Sequence, residues 1–110
     1  LVINVSSPNT PGLRSLQSTQ QLRQIAQAVI TSARKSANRQ VPVLVKLAPD
    51  LEDAQLIELA DLVKEVGLAG VIATNTTINH DFGEGGLSGA HLKERALQVV
   101  RMLRAQIGED

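Results

Sequence analysis

The sequence predicts an α/β fold made of three consecutive βα units with parallel strands, forming part of a closed barrel. Three short runs rich in Val, Ile and Leu alternate with three longer segments whose apolar residues recur at helical spacing. The apolar runs are nearly continuous, which is typical of parallel strands that helices cover. Each run also ends among polar side chains, and α/β barrels present their sites at such strand ends.

Composition narrows the possible functions. The 110 residues suffice for one small domain, and 11 basic residues balance 11 acidic ones, which predicts no attraction to nucleic acid. Cysteine is absent, which excludes disulfides, thiolate metal sites and a cysteine nucleophile. The sequence contains no run of about 18 consecutive apolar residues, so we expect no transmembrane helix. Because aromatic residues make up only 1% and the chain starts inside an apparent strand, we expect a piece of a larger domain.

The first unit consists of a strand over residues 1–5, a loop over 6–16 and a helix from Thr19 to about residue 35. Two prolines and a glycine mark the loop. Basic residues close the helix, where they complement its dipole. The apolar face of this helix comprises Leu22, Ile25, Ala26, Val29, Ile30 and Ala33.

The second unit begins with a strand over residues 41–47. Asp50 is predicted to cap the following helix, which runs to about residue 66 and is ended by Gly67. Its apolar stripe comprises Leu56, Leu59, Ala60 and Val63.

The third unit has a strand over residues 70–74, a glycine-rich loop over 83–89 and a helix over 90–107. Ser88 is the predicted cap of this helix, and Gly108 ends it. The predicted stripe comprises Leu92, Ala96, Val99, Leu103 and Ile107. Right-handed crossovers make the three strands parallel neighbours.

Lys46 is the most informative single residue, because it stands in an otherwise apolar strand. It either stabilises negative charge on a ligand or extends its ammonium to solvent at the strand end. Asn4, Asn9 and Asn75 lie at the carboxyl ends of two other strands, and their amides suit a cyclic imide or urea. Asparagine is also common in turns, so each of the three taken alone could be either a ligand-binding residue or a turn residue.

Ser7 is a candidate nucleophile or base, but no histidine or acid lies near it in sequence to activate it, and a structural turn explains it equally. The glycine-rich loop over residues 83–89 could bind phosphate at a helix start, although it lacks the known phosphate-binding spacings. His80 and His91 show no metal-ligand spacing and are interpreted as surface residues.

Four motifs resemble one known family in the same order. Residues 4–10, Asn-Val-Ser-Ser-Pro-Asn-Thr, and residues 12–17, Gly-Leu-Arg-Ser-Leu-Gln, resemble the catalytic loop of class 2, quinone-dependent dihydroorotate dehydrogenases. Residues 43–50, Val-Leu-Val-Lys-Leu-Ala-Pro-Asp, resemble the next strand of that family. Residues 74–77, Thr-Asn-Thr-Thr, and 85–89, Gly-Gly-Leu-Ser-Gly, resemble the two motifs that follow. The resemblance implies a TIM barrel that binds FMN.

The resemblance also implies roles for individual residues. Ser7 would be the catalytic base that removes a proton from C5 of dihydroorotate while a hydride passes from C6 to the flavin, and Thr10 would help relay the proton. The residues that would hold the pyrimidine ring are Asn4, Asn9, Asn75 and Thr76. Those that would contact FMN are Asn4, Lys46, Thr74 and Gly89. The loop over residues 6–16 would close as a lid.

Two departures from the family pattern accompany the resemblance. The stretch from Thr77 to Gly85 is several residues shorter than usual, which makes Gly89 the least secure assignment. About half of the barrel is also absent, including the membrane-associating helices through which the family meets its quinone on the bacterial or mitochondrial inner membrane. Residues 1–110 are therefore interpreted as the central fragment of such an enzyme. The alternatives are an inactive half-barrel and another flavin-dependent pyrimidine oxidoreductase, although the related enzymes use a cysteine base.

Overall fold

A computed structural model, which describes residues 1–108, contains one sheet of three parallel strands in the order β1-β2-β3. The strands are β1 (Val2–Asn4), β2 (Leu44–Leu47) and β3 (Gly70–Ala73). The helices are α1 (Thr19–Ser36), α2 (Asp53–Val66) and α3 (Ala90–Ile107). The predicted sequence of three parallel βα units is confirmed.

The strand register separates the sheet into two faces. Two adjacent rows of paired residues are Ile3, Val45 and Val71, and then Asn4, Lys46 and Ile72. Because side chains alternate along a strand, these rows point to opposite faces. Val45 is completely buried beneath the helices, whereas Ile72 on the other face is 36% exposed. We call the face that carries Asn4, Lys46 and Ile72 the uncovered face.

The helices cover the opposite face with the stripes that the sequence predicts. All four predicted stripe residues of α2 are buried, and Leu62 joins them. In α1 and α3 the centre of each stripe is buried and its flanks are partly exposed. The resulting core is aliphatic, and its largest fully buried side chains are Leu22, Leu47, Leu56, Leu59, Leu62, Val45, Val63 and Val99.

The ends of several elements differ from the prediction. Each strand is shorter than predicted, and in the second unit Val41, Pro42 and Val43 precede the ladder rather than joining it. The predicted loop over residues 6–16 contains a short 3-10 helix, Leu13–Gln17. No described helix has the length and apolar character needed to cross a membrane.

Two predicted helix caps are wrong. Helix α2 begins after Glu52, whose backbone N–H donates to Gln55 Oε1 at 3.1 Å in a capping box. Asp50 lies further upstream and bonds to other loops instead. Helix α3 follows Gly89, and Ser88 makes no capping hydrogen bond. The predicted helix end at Gly67 is confirmed, since its φ of 78° is the left-handed conformation that glycine favours.

Candidate active site at the carboxyl ends of the strands

A hydrogen-bonded network joins the ends of β1 and β3. The Ser6 hydroxyl donates to Asn4 Oδ1 at 2.9 Å, and the Ser6 backbone N–H donates to the same oxygen at 3.1 Å. Asn75 Nδ2 donates to the Ser6 hydroxyl at 3.0 Å from 69 residues further along the chain. Ser6 is completely buried. The structure thus brings together two of the predicted amides, Asn4 and Asn75, through a serine that sequence reasoning did not select.

The Asn75 amide is also tied to its neighbours. Its Oδ1 accepts the Thr76 backbone N–H at 2.8 Å, and its own backbone N–H donates to the Leu47 carbonyl at 2.9 Å beyond the last paired residues of the ladder. These bonds fix the Asn75 side chain and place Thr76 beside it.

Ser7 lies next to the network, half-buried in the loop that follows β1. Its hydroxyl accepts the Asn9 backbone N–H at 3.3 Å. The hydroxyls of Ser7 and Thr10 are not hydrogen-bonded to each other, and both Asn9 and Thr10 are exposed. The structure therefore places Ser7 and Asn9 in one turn beside the network, with Thr10 at the outside of the loop.

Lys46 stands directly beside Asn4 in the register of β1 and β2, on the uncovered face. The lysine is half-buried, and its ammonium makes no hydrogen bond or ion pair with any of residues 1–108. Its neighbour on β3 is the apolar Ile72. An ammonium without a partner between an amide and an apolar side chain is available to an anionic or electron-rich ligand.

Thr74 follows β3 and carries a buried hydroxyl that has no hydrogen-bond partner among the described residues. Buried hydroxyls are normally satisfied, so this group fits a polar ligand. Thr74 and Gly89 line one open cavity of about 490 Å³ at the start of α3. Of the residues assigned to FMN, the structure thus brings Gly89 together with Thr74.

The glycine-rich loop folds against the loop after β1 instead of forming an open phosphate cradle. Thr77 and Leu87 pair as an antiparallel bridge, which closes the loop on itself. A Cβ added at Gly86 would lie 1.8 Å from Thr76 Oγ1 and 2.9 Å from Pro8 Cγ. Glycine at this position is therefore what allows the loop to approach Thr76 and Pro8 so closely.

A second cluster, also absent from the sequence prediction, links all three strand ends. Arg14 donates to the carbonyls of Ser6 and Thr76 and to the carboxylate of Asp50. Asp50 also accepts the Ile78 backbone N–H at 3.0 Å and a short hydrogen bond from the Thr77 hydroxyl. Burial raises the pKa of Asp50, but these donors outweigh it and hold the pKa below its usual value. No local sequence pattern marks a loop arginine as paired with residues this distant.

The two histidines have structural contacts. His91 is exposed, as predicted, and its Nε2 lies 3.1 Å from the Asn79 carbonyl. His80 is half-buried and lies 2.8 Å from the Gly85 carbonyl, so its interpretation as a surface residue is wrong in part. Within residues 1–108 no three His, Cys, Asp or Glu side chains cluster as a metal site would require.

Comparisons with known proteins agree with this arrangement. The family model described as "Dihydroorotate dehydrogenase" matches residues 1–110. A "Dihydroorotate dehydrogenase (quinone)" from Thermobifida fusca is 52% identical over 99% of this chain and 32% of its own length. One from Kocuria rhizophila is 51% identical over 99% of this chain and 34% of its own length.

Solved structures give the same result. DHODH from Eimeria tenella in complex with ferulenol superimposes with a TM-score of 0.91 and 35% identity, over 97% of this chain and 35% of that one. The ligand-free form gives a TM-score of 0.88 at 37% identity. The chain thus spans about one third of the relatives that it matches, and the predicted partial barrel is confirmed.

Proposed function

The chain belongs to the dihydroorotate dehydrogenase family, and we propose that residues 1–110 form the central part of such an enzyme, which oxidises dihydroorotate to orotate and passes the electrons to a quinone. The observation that carries this proposal is the network in which Ser6 joins Asn4 to Asn75 at two strand ends, beside Ser7. The names of the relatives, which specify quinone, support the choice of acceptor.

The substrate residues offer the hydrogen-bonding groups that a cyclic imide requires. Asn4 Oδ1 is occupied by the two donors of Ser6, so its Nδ2 remains to donate to a carbonyl of the pyrimidine. The exposed Asn9 amide offers both a donor and an acceptor. Asn75 and Thr76 complete the proposed set, and their mutual hydrogen bonds reduce the entropy lost when a substrate binds.

Ser7 is the proposed base for the proton at C5 of dihydroorotate. A serine hydroxyl is a weak base and needs a prepared environment. The Asn9 N–H that reaches the Ser7 oxygen supplies one fixed donor to any negative charge that develops there. Thr10 follows in the same loop and is the proposed relay that carries the proton away. The loop would exclude water by closing over the substrate.

FMN fits the residues that the family resemblance assigns to it. The hydroxyl of Thr74 and the ammonium of Lys46, which have no partner among residues 1–108, are polar groups that a phosphate-bearing flavin would satisfy. Gly89 shares a cavity with Thr74, and Asn4 stands beside Lys46. When bound, FMN supplies the acceptor for the hydride from C6. The contribution of Lys46 is a positive charge on the uncovered face, which stabilises an electron-rich ligand.

Contact with the quinone and with the inner membrane is proposed to lie outside residues 1–110, on the cytoplasmic side in a bacterium or in the mitochondrial inner membrane in a eukaryote. We also propose that residues 1–110 alone neither bind FMN nor turn over. Strands β1 and β3 each pair only with β2 within residues 1–108, so both outer edges are open, and the rest of the flavin shell is missing.

Another flavin-dependent pyrimidine oxidoreductase is less favoured, because its cysteine base has no counterpart here.

The test uses a full-length chimera in which residues 1–110 replace the matching third of the Thermobifida fusca relative. The chimera should purify with bound FMN, lose the absorbance of oxidised flavin when dihydroorotate is added anaerobically, and regain it when a quinone analogue follows. A chimera that binds FMN but is not reduced by dihydroorotate would contradict the proposal. A flavin-coloured isolated 110-residue chain that turns over would contradict the prediction for the fragment.

A further inference from the structure

One arginine holds the three strand-end loops together. Arg14 Nε donates to the Ser6 carbonyl at 3.0 Å, one terminal nitrogen donates to Asp50 Oδ2 at 2.7 Å, and the other donates to the Thr76 carbonyl at 2.7 Å. These three acceptors follow β1, β2 and β3 respectively. A single planar guanidinium therefore fixes the relative positions of all three strand ends.

Two of these three loops carry the residues proposed to react with or bind the substrate. Ser6 precedes the proposed base Ser7, and Thr76 belongs to the proposed pyrimidine site. Arg14 reaches both loops through main-chain carbonyls, so any effect on the reaction passes through the position of the backbone. The Ser6 side chain, which Asn75 and Asn4 bind on the other side, completes the connection between the same two loops.

Asp50 keeps the guanidinium in place. Its Oδ2 accepts from Arg14 and from the Ile78 N–H, while its Oδ1 accepts from the Thr77 hydroxyl. The side chains of Arg14 and Asp50 are 19% and 24% exposed, so the pair is partly shielded from solvent. Three charge-assisted hydrogen bonds thus meet at one carboxylate, and together they hold the guanidinium in place.

We propose that Arg14 is a positioning residue for the oxidation of dihydroorotate, because it holds the Ser7 loop in register with the Asn75–Thr76 loop. This inference rests on the proposed function. The role requires a guanidinium, because its N–H donors point in three directions within one rigid plane. A lysine ammonium in the same place would keep only some of the three hydrogen bonds.

Arg95 provides a matched control. Its Nε donates to the Pro49 carbonyl at 3.0 Å, and its terminal nitrogens donate to the Leu51 carbonyl at 2.7 Å and to Asp53 at 3.0 Å. This arginine thus also binds two carbonyls and one carboxylate, and it donates in addition to Gln98 Oε1 at 2.8 Å. The two carbonyls and the carboxylate lie between β2 and the start of α2, and Gln98 lies in α3. None of these four acceptors belongs to the loops that carry Ser7 or Asn75.

The experiment compares Arg14→Lys, Arg14→Ala and Arg95→Lys in the full-length chimera. The measured quantities are bound FMN, the rate of flavin reduction per bound FMN in a single turnover, and the dihydroorotate concentration at half-maximal rate. Arg14→Lys should slow reduction about 10- to 100-fold, as expected for a small misplacement of reacting groups, while it retains FMN. Arg95→Lys should reduce flavin at the rate of the unmodified chimera, and added guanidinium should partly restore Arg14→Ala.

Several outcomes would overturn the inference. They are an unchanged reduction rate in Arg14→Lys, an equal decline in Arg95→Lys, and loss of FMN from both Arg14 variants while Arg95→Lys retains it. Asp50→Asn is a second variant that keeps a neutral acceptor near Arg14, and it should give a smaller decline of the same kind. Failure of the proposed function would be distinguishable, because the unmodified chimera itself would then not be reduced.

Discussion

The two faces of the sheet carry different properties on the same three strands. One register row, led by Ile3 and Val45, is covered by the helices and belongs to the core. The next row places Asn4 and Lys46 on the uncovered face. Since the two rows are one residue apart, a strand of three or four residues supplies both packing and chemistry. Stability and reactivity should therefore be separable by substituting adjacent residues.

The largest expected effect is on the rate of the reaction and comes from Ser7→Ala. Loss of the proposed base should slow flavin reduction in the chimera about 10²- to 10⁴-fold, which is typical of general-base removal. The Ser7 oxygen accepts one weak hydrogen bond of 3.3 Å, so FMN content and stability should change little. Stopped-flow reduction under anaerobic conditions measures the rate.

Ser15→Ala is the control for this substitution. Ser15 is exposed in the same segment, and its hydroxyl donates to the Gly12 carbonyl at 2.6 Å and to no other described residue. Normal single-turnover reduction in Ser7→Ala, or the same slowing in Ser15→Ala, would contradict the role assigned to Ser7.

Val45→Ala should have the next largest effect, and it should act on stability. Val45 is completely buried in the covered row, so removal of two carbons costs roughly 2–3 kcal/mol of unfolding free energy through lost burial and a cavity. Denaturant unfolding of the chimera measures the loss. The rate of flavin reduction per bound FMN should stay within about twofold of the parent. A selective loss of rate would show that the two faces are not independent.

Lys46→Ala is the complementary substitution one residue along the same strand. It removes the unpartnered ammonium, so FMN content or the reduction rate should fall about tenfold or more, as expected for a lost charged hydrogen bond. The unfolding free energy of the FMN-free chimera should change by less than about 0.5 kcal/mol, because no described partner is lost. Normal FMN content together with a normal rate would count against the proposed cofactor contact.

Local patterns predicted the helices well, because their determinants are local. The helix Ala90–Ile107 has the predicted ends, and α1 differs by one residue at its C-terminus, since helical spacing and flanking glycine or polar residues define such segments. The strand ends were less accurate, because a strand ends where pairing with its neighbours ends. Val43 is apolar and buried, yet it lies outside the ladder.

The network at the strand ends was predicted in part, and the residues that were overlooked make contacts with residues distant in sequence. Of the three predicted asparagines, Asn4 and Asn75 are joined through Ser6, and the binding roles of all three stay predictions. Ser6 was overlooked because nothing in a Ser-Ser pair shows which of the two hydroxyls will be buried. The donor to the Ser6 hydroxyl, Asn75, lies 69 residues further along the chain. Asp50 was misread as a cap because an acid before an apolar run usually serves that purpose. Its real partners, Arg14 and Thr77, are 36 residues earlier and 27 residues later.

The smallest expected effect concerns acid, and it tests whether Asp50 stabilises the strand-end loops. The pKa of Asp50 is held below the usual 3.8 because donors from Thr77, Ile78 and Arg14 outweigh burial. The unfolded chain therefore binds more protons at this carboxyl than the native one, so its contribution is complete above about pH 4 and is lost as pH falls through the native pKa. The loss should be on the order of 1 kcal/mol or less for a partly exposed pair.

Denaturant unfolding of the chimera at several pH values between about 2.5 and 5 would measure this contribution. The parent should lose more stability across this range than Asp50→Asn does, because only the parent carries the titrating carboxylate. Asp53→Asn is the matched control, since Asp53 pairs with Arg95 at 3.0 Å but is 55% exposed and lies at the start of α2. If Asp53→Asn reduced the pH dependence of stability as much as Asp50→Asn does, the acid sensitivity would not be specific to the Asp50–Arg14 pair. The proposed stabilisation of the strand-end loops by Asp50 would then be contradicted.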